Sequence, residues 1–259
     1  MTMTELLRVS ELSKDYLHKG RWWTPKRIRA LKQVSFSLKS GETLAIIGET
    51  GSGKSSLARL IAGAESPTSG QIFLRDTELK PRDYSYRCRH IRMVFQDSEA
   101  SLNPHLTIGR QLEEPLLFNT SLNASQRREA VAEALKKVGL LPEHAVFHCH
   151  MMSMGQKQRA CIARAIMLNP DIIVADEALA ALDSSIRAQI INLLLDLQRD
   201  MNMSYIFVSH SPEIIRHMAD RILVLRDGEV IANAPTEEIF ENNPDSYIQS
   251  LLQQTYTLG

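Results

Sequence analysis

Residues 45–60 read AIIGETGSGKSSLARL, in which residues 48–55 fit the pattern GxxxxGKS between a strand-like apolar run and a helix-like one. Glycine at positions 48, 51 and 53 lets the backbone curl so that the amides from Glu49, Thr50 and Gly51 through Ser52 and Gly53 to Ser55 and Ser56 face phosphate oxygens. The start of the following helix adds the positive end of its dipole. Lys54 neutralises the outer phosphates, and the Ser55 hydroxyl is a ligand for Mg²⁺. A second group, Asp176 and Glu177, closes the run IIVADE. At the carboxyl end of a strand Asp176 reaches a metal, and Glu177 beside it polarises an attacking water. Kinases, GTPases, motors and transporters all use a phosphate loop, so these residues define a chemistry before they define a task.

The elements that position them follow from periodicity. LLRVSEL, VSFSL and TLAIIG predict early strands. The stretch near 82–168 turns helical: SQRREAVAEALKKVGL puts Ala130, Val131, Ala134, Leu135 and Val138 on one face, with Ser125 as N-cap and Gly139 at the end. DIIVADE and SYIFVSH are continuous apolar runs, as expected of strands buried in a parallel sheet. Between them SSIRAQIINLLLDLQRD predicts a helix capped by Ser184, with Ile186, Ile190, Leu193, Leu194 and Leu197 inward. RILVLRDGEVIANA predicts a hairpin turning at Asp227 and Gly228. Alternation of strand and helix predicts an α/β core.

The chain has 259 residues, 44% hydrophobic and 23% charged, with 30 basic and 30 acidic side chains. This balance leaves no net field to hold nucleic acid or an anionic membrane. Cys88, Cys149 and Cys161 lack CxxC spacing and suit reduced thiols in a cytosolic compartment. The start MTMTELLRVSELSKDY does not resemble a secretory signal, and no run of about 18 apolar residues predicts a spanning helix.

Taken in order, these residues resemble the ATP-binding cassette family over nearly the whole chain. Residues 48–55 resemble Walker A and residues 172–177 Walker B. Gln96 in MVFQD resembles the Q-loop, and Asp183 in ALD the D-loop. His210 in VSH resembles the switch histidine, and Tyr16 in LSKDY stands where the family sets an aromatic ring against adenine. Ser153, Met154, Gly155 and Gln156 resemble the signature, usually LSGGQ and here MSMGQ. MVFQDSEASLNP is similar to the peptide-transporter branch. The tail QQTYTLG has no cysteine, so an iron–sulfur cluster is not expected.

The resemblance implies one cassette domain over residues 1–259: a P-loop NTPase core of ABC type with an antiparallel β subdomain. It also implies an inserted helical subdomain near 82–168 and a C-terminal helical tail near 236–259. ATP and Mg²⁺ are the implied cofactors, with Ser55, Gln96 and Asp176 around the metal. Glu177 is the implied general base, His210 holds the water and glutamate, and Gln96 senses the γ-phosphate. The signature and Asp183 serve the ATP of a second cassette, another chain or another copy. Two membrane permeases and a periplasmic binding protein complete the implied assembly at the cytoplasmic face of a bacterial inner membrane, without nucleic acid. The rival readings are a soluble cassette working on nucleic acid or ribosomes, and a non-hydrolysing regulator. No tandem cassette, coiled coil or strongly basic surface supports the first, and intact Lys54, Asp176 and Glu177 oppose the second.

Met154 departs from the family pattern. If that position needs positive φ, its side chain costs about 1–2 kcal/mol, on the order of tenfold in closure of the site. The expectation is an asymmetric pair in which the site closed by this signature is slower. His144, His148, Cys149 and His150 suggest a metal, but no second ligand cluster accompanies them. KGRWWTPKRIR, with Trp22 and Trp23, is read as a solvated hairpin tip rather than a lipid or nucleic-acid contact.

Overall fold

The structure, a computed structural model, describes residues 4–18, 26–241 and 245–253. In chain order the strands and helices of the first part are β1 (Glu5–His18), β2 (Lys26–Lys39), β3 (Thr43–Ile47), α1 (Lys54–Ala62), β4 (Ser69–Leu74) and β5 (Thr77–Glu78). Next come α2 (Tyr84–His90), β6 (Ile91–Phe95), α3 (Ser98–Ser101), α4 (Ile108–Asn119), α5 (Ala124–Lys137) and α6 (Met154–Ile166). The remainder comprises β7 (Ile172–Asp176), α7 (Ser184–Met201), β8 (Ser204–Val208), α8 (Pro212–Met218), β9 (Arg221–Arg226), β10 (Glu229–Pro235), α9 (Thr236–Glu241) and α10 (Ser246–Gln253). The chain forms two compact units, Met1–Arg87 with Ser204–Gly259, and Cys88–Met203.

The first unit holds an antiparallel sheet in the order β2-β1-β4-β5. It also holds the parallel core in which β3 pairs with β8 on one side and β9 on the other. Every residue of β3 and β8 is buried, which explains why TLAII and SYIFV are apolar without alternation. β9 and β10 form the expected hairpin: Asp227 (φ 50) and Gly228 (φ 80) are both left-handed, as a two-residue turn of this hand requires. The C-terminal α10 packs through Ile248 and Leu251 onto a cluster of Ala45 and Ile47 from β3, Ile222 and Val224 from β9, Ile215 and Ile239. The helix therefore rests on the two strands that bracket the phosphate loop.

In the second unit β6 and β7 run parallel, Ile91 opposite Ile172 through Phe95 opposite Asp176, and β7 is wholly buried. α5 buries Val131, Ala134 and Leu135, with Val138 buried just beyond its end. Its N-cap is Asn123 and not Ser125, because Asn123 and Gln126 close a reciprocal capping box. Likewise α7 is capped by Asp183 and not Ser184: the carboxylate accepts from Ser185 N and Ile186 N, both at 3.0 Å. α7 buries Ile190, Ile191, Leu194 and Leu197, so Ile191 takes the inward place expected of Leu193. Residues 19–25, with Trp22 and Trp23, and residues 254–259 lie outside the described residues. Among the described residues no helix is long and apolar enough to cross a membrane.

Candidate nucleotide site

The expected site residues divide between the units. Tyr16, the phosphate loop and His210 belong to the first; Gln96, the 153–156 stretch, Asp176, Glu177 and Asp183 belong to the second.

In the first unit the chain leaves β3 and turns at Gly48, whose φ is 151. A Cβ there would lie 2.2 Å from Leu225 O, so no side chain fits against β9. Gly53 (φ 106) is equally constrained, its Cβ position being 2.5 Å from Ala30 O. Gly53 is also the N-cap of α1, and it offers no side chain to cap the helix. The start of α1 thus presents the dipole and amides that suit an anion. Lys54, 5% exposed, folds inward and donates to Gly48 O and Glu49 O, each at 2.8 Å. Ser52 is buried and its Oγ has no protein partner. One backbone bond braces the loop from the β9–β10 turn, Gly228 N donating to Ser52 O at 3.0 Å, and the turn is held in its place by Lys32 N of β2, which donates to Gly228 O at 2.8 Å.

The Tyr16 hydroxyl donates to Glu65 Oε2 at 2.6 Å and lies 3.1 Å from Ser56 Oγ, so the ring is fixed beside α1. Lys14 Nζ sits 4.9 Å from the ring centroid. Burial and then the bond to Glu65 push the tyrosine pKa up. Burial pushes the Glu65 carboxyl up, but hydrogen bonds from Tyr16 and Lys14 outweigh it and hold the group below its usual range. His210 is exposed, two residues beyond β8.

In the second unit Asp176 ends β7 and is 8% exposed. Glu177 follows with φ 50, a left-handed conformation in a residue that is not glycine, and its carbonyl accepts from Ala180 N at 3.0 Å. Gln158, 1% exposed on α6, donates through Nε2 to Ala178 O at 3.0 Å and so holds the turn beside Glu177. Sequence reading missed this glutamine. Its signal was register, since Gly155, Gln158 and Ile162 are all buried on one stripe of α6. Gln96 is exposed, directly after β6.

Ser153 is the N-cap of α6, its Oγ accepting from Gln156 N at 3.3 Å while Gln156 Oε1 accepts from Ser153 N at 2.9 Å. Met154 is the first residue of the helix and is absent from the positive-φ residues. The strain expected from replacing glycine there does not arise, because the helical backbone accepts any L-residue. Gly155 keeps α6 close to α7: a Cβ would lie 3.1 Å from Ile186 Cγ2.

His148 and His150 stack with centroids 5.6 Å apart, and Leu141 N donates to His144 Nδ1 at 2.9 Å. Among the described residues no three His, Cys, Asp or Glu side chains gather as a metal-ligand group. Ser55 of the first unit and Gln96 and Asp176 of the second, the residues expected around Mg²⁺, each carry an oxygen donor of the kind that suits a hard cation.

Residues 31–180 match the ABC transporter family. The chain is similar to the putrescine export system ATP-binding protein SapF of Escherichia coli K12 and to the peptide transport system ATP-binding protein SapF of Salmonella typhimurium. Identity is 46% over 234 residues in each case, covering 90% of this chain and 87% of the relative. Among solved structures it is similar to the dimeric post-hydrolysis state of the ATP-binding cassette MJ0796 bound to ADP and Pi. The TM-score is 0.78 at 32% identity, over 89% of this chain and 99% of that one. A loop shaped by Gly48 and Gly53 around Lys54, an acidic strand end at Asp176 and Glu177, and this extent of likeness lead to one assignment: the chain belongs to the ABC transporter family and is an ATP-hydrolysing cassette.

Proposed function

We propose that this cassette hydrolyses ATP to drive a peptide transporter of a bacterial inner membrane, from its cytoplasmic face. The observation that supports it most is the loop at residues 48–55, curled by left-handed glycines with the Lys54 ammonium inside and an uncapped helix start behind it. The amides of Thr50, Gly51 and Gly53 to Ser56, together with Lys54, hold the phosphates, Glu49 N and Ser52 N being bonded within the protein, and Tyr16 lies against adenine. Ser55, Gln96 and Asp176 would hold Mg²⁺, which when bound neutralises charge on the phosphate oxygens. Glu177 accepts the proton of the attacking water, whose oxygen displaces ADP from the γ-phosphorus to give phosphate. His210 holds that water and carboxylate in place, and Gln96 reports the γ-phosphate to the membrane subunits. Ser153, Met154, Gly155 and Gln156 close over the ATP of a second cassette, with Asp183 at the same interface.

The proposed assembly contains this chain, a second and different cassette, two permeases and a periplasmic binding protein, with no nucleic acid. Peptide cargo is supported by MVFQDSEASLNP and by the name of the Salmonella typhimurium relative. A second reading, putrescine export, has its own support in the name of the equally similar Escherichia coli K12 relative. Purification from membranes at native expression, followed by identification of the copurifying chains, is expected to return two permeases and a second cassette. Recovery with ribosomes or nucleic acid alone would overturn the proposal. Stimulation of ATP turnover in the purified assembly by peptide or by putrescine then separates the two cargo readings.

A further inference from the structure

We propose that Tyr247, on α10, is a positioning residue of the phosphate loop. Its hydroxyl accepts from Glu49 N at 3.2 Å and lies 3.3 Å from Leu225 O, to which it donates. One hydroxyl serves both roles because it has a single proton and two lone pairs. Leu225 O is the same carbonyl that excludes a side chain at Gly48. Tyr247 therefore joins the first turn of the loop to the strand end on which that turn rests. Nearly two hundred residues separate the hydroxyl from Glu49 in sequence, so the contact is tertiary.

The tyrosine is itself held from three sides. The Arg226 guanidinium lies 4.7 Å from the ring centroid, Tyr247 N donates to Asp245 Oδ1 at 2.8 Å, and on the same helix the adjacent Ile248 and, one turn on, Leu251 are anchored in the β3–β9 cluster. A rigid post of this kind fixes a backbone amide that would otherwise have to be ordered by the nucleotide. When the post is lost, that ordering cost falls on binding. Once ATP occupies the loop, its phosphates order the same turn. Tyr247 touches no reacting group, so turnover at saturation is independent of it.

The inference rests on the reading that residues 48–55 bind the phosphates of ATP. The test uses the assembled transporter, with KM for MgATP, kcat and thermal midpoint measured for each variant. Tyr247→Phe keeps the ring and removes the hydroxyl, and is expected to raise KM about three- to tenfold with kcat within about twofold. Ser250→Ala, on the same helix with its Oγ bonded to Tyr247 O and not to the loop, is expected to leave KM and kcat unchanged. An unchanged KM in Tyr247→Phe overturns the proposal. So does a fall in kcat matched to a fall in thermal midpoint, which marks a purely structural tyrosine. Lys54→Ala examines the underlying reading by itself: retention of tight MgATP binding in that variant would remove the loop as the phosphate site, whatever Tyr247→Phe does.

Discussion

Glu177 occupies the left-handed region at φ 50. For an ordinary L-residue this conformation costs on the order of 1–2 kcal/mol, and the turn closed by Ala180 N onto the Glu177 carbonyl, together with Gln158 on Ala178 O, maintains it. Glu11, Asp76 and Asp227 are acidic residues that share this backbone region, so the conformation by itself does not mark Glu177 and its proposed role needs a test of the side chain. Glutamine has the same shape and backbone preference, so Glu177→Gln isolates the proton-accepting role. Turnover is expected to fall at least about 10²-fold with MgATP affinity retained, measured as phosphate release and calorimetric binding. Near-normal turnover would remove Glu177 as the base. The candidate role of this residue was visible in IIVADE beside GxxxxGKS, whereas its strain was not, because φ here is imposed by contacts from Ala180 and α6.

At the scale of elements, α6 is fastened to α3 by one stripe of side chains at positions 154, 157, 161 and 164. Ser98 Oγ donates to Met154 Sδ at 3.5 Å, Lys157 pairs with Glu99, and Cys161 Sγ donates to Ser98 O at 3.7 Å. Arg164 Nη1 donates to Ser101 O at 2.6 Å. The helix that begins at Met154 and the short helix after Gln96 are therefore one mechanical piece. Burial pushes the Cys161 thiol up to about 11, which leaves it protonated and part of the packing. A charged donor on a half-buried carbonyl contributes about 1.5–3 kcal/mol, and a chain of this size loses about 2–4 °C per kcal/mol. Arg164→Ala is thus expected to lower the thermal midpoint by roughly 3–10 °C. Arg199→Ala, which breaks only an exposed pair with Asp196, should shift it by less than about 2 °C. Equal shifts would contradict the α3–α6 stripe.

The elements most readable from sequence were those with a local cause. DIIVAD and SYIFV are buried strands because continuous apolar runs suit nothing else of that length, and the Asp227–Gly228 turn needs residues that tolerate positive φ. The caps were less readable. Asn123 and Ser125 both suit a helix start, but only Asn123 has a glutamine three residues on; Ser125 has Arg128 there and cannot close the box. Asp183 prevails over Ser184 because a carboxylate also gains from the helix dipole. Tyr247 and Gln158 had no local signature at all, since their partners are distant in sequence.

At the scale of the whole molecule, Met154 bears on whether the proposed pair of cassettes works evenly. The residue is 40% exposed at the start of α6 with a helical backbone. Any slowing of the site it closes must come from side-chain bulk rather than from φ. Single-site hydrolysis in the assembled pair should then respond alike to Met154→Ala and Met154→Gly, the two rates agreeing within about twofold. Recovery by glycine alone would restore the strained-backbone explanation.

The placement of β3 between β8 and β9 also sets an order of events during synthesis. When Met203 leaves the ribosome every side chain of the phosphate loop has long been made, yet neither bordering strand, nor the tyrosine that braces the loop, is available. Pairings so distant in sequence form slowly, and these cannot form before β8 and β9 have been made. A nascent chain that stops before Ser204 accordingly carries the loop residues without either strand that borders β3, and is expected not to bind nucleotide.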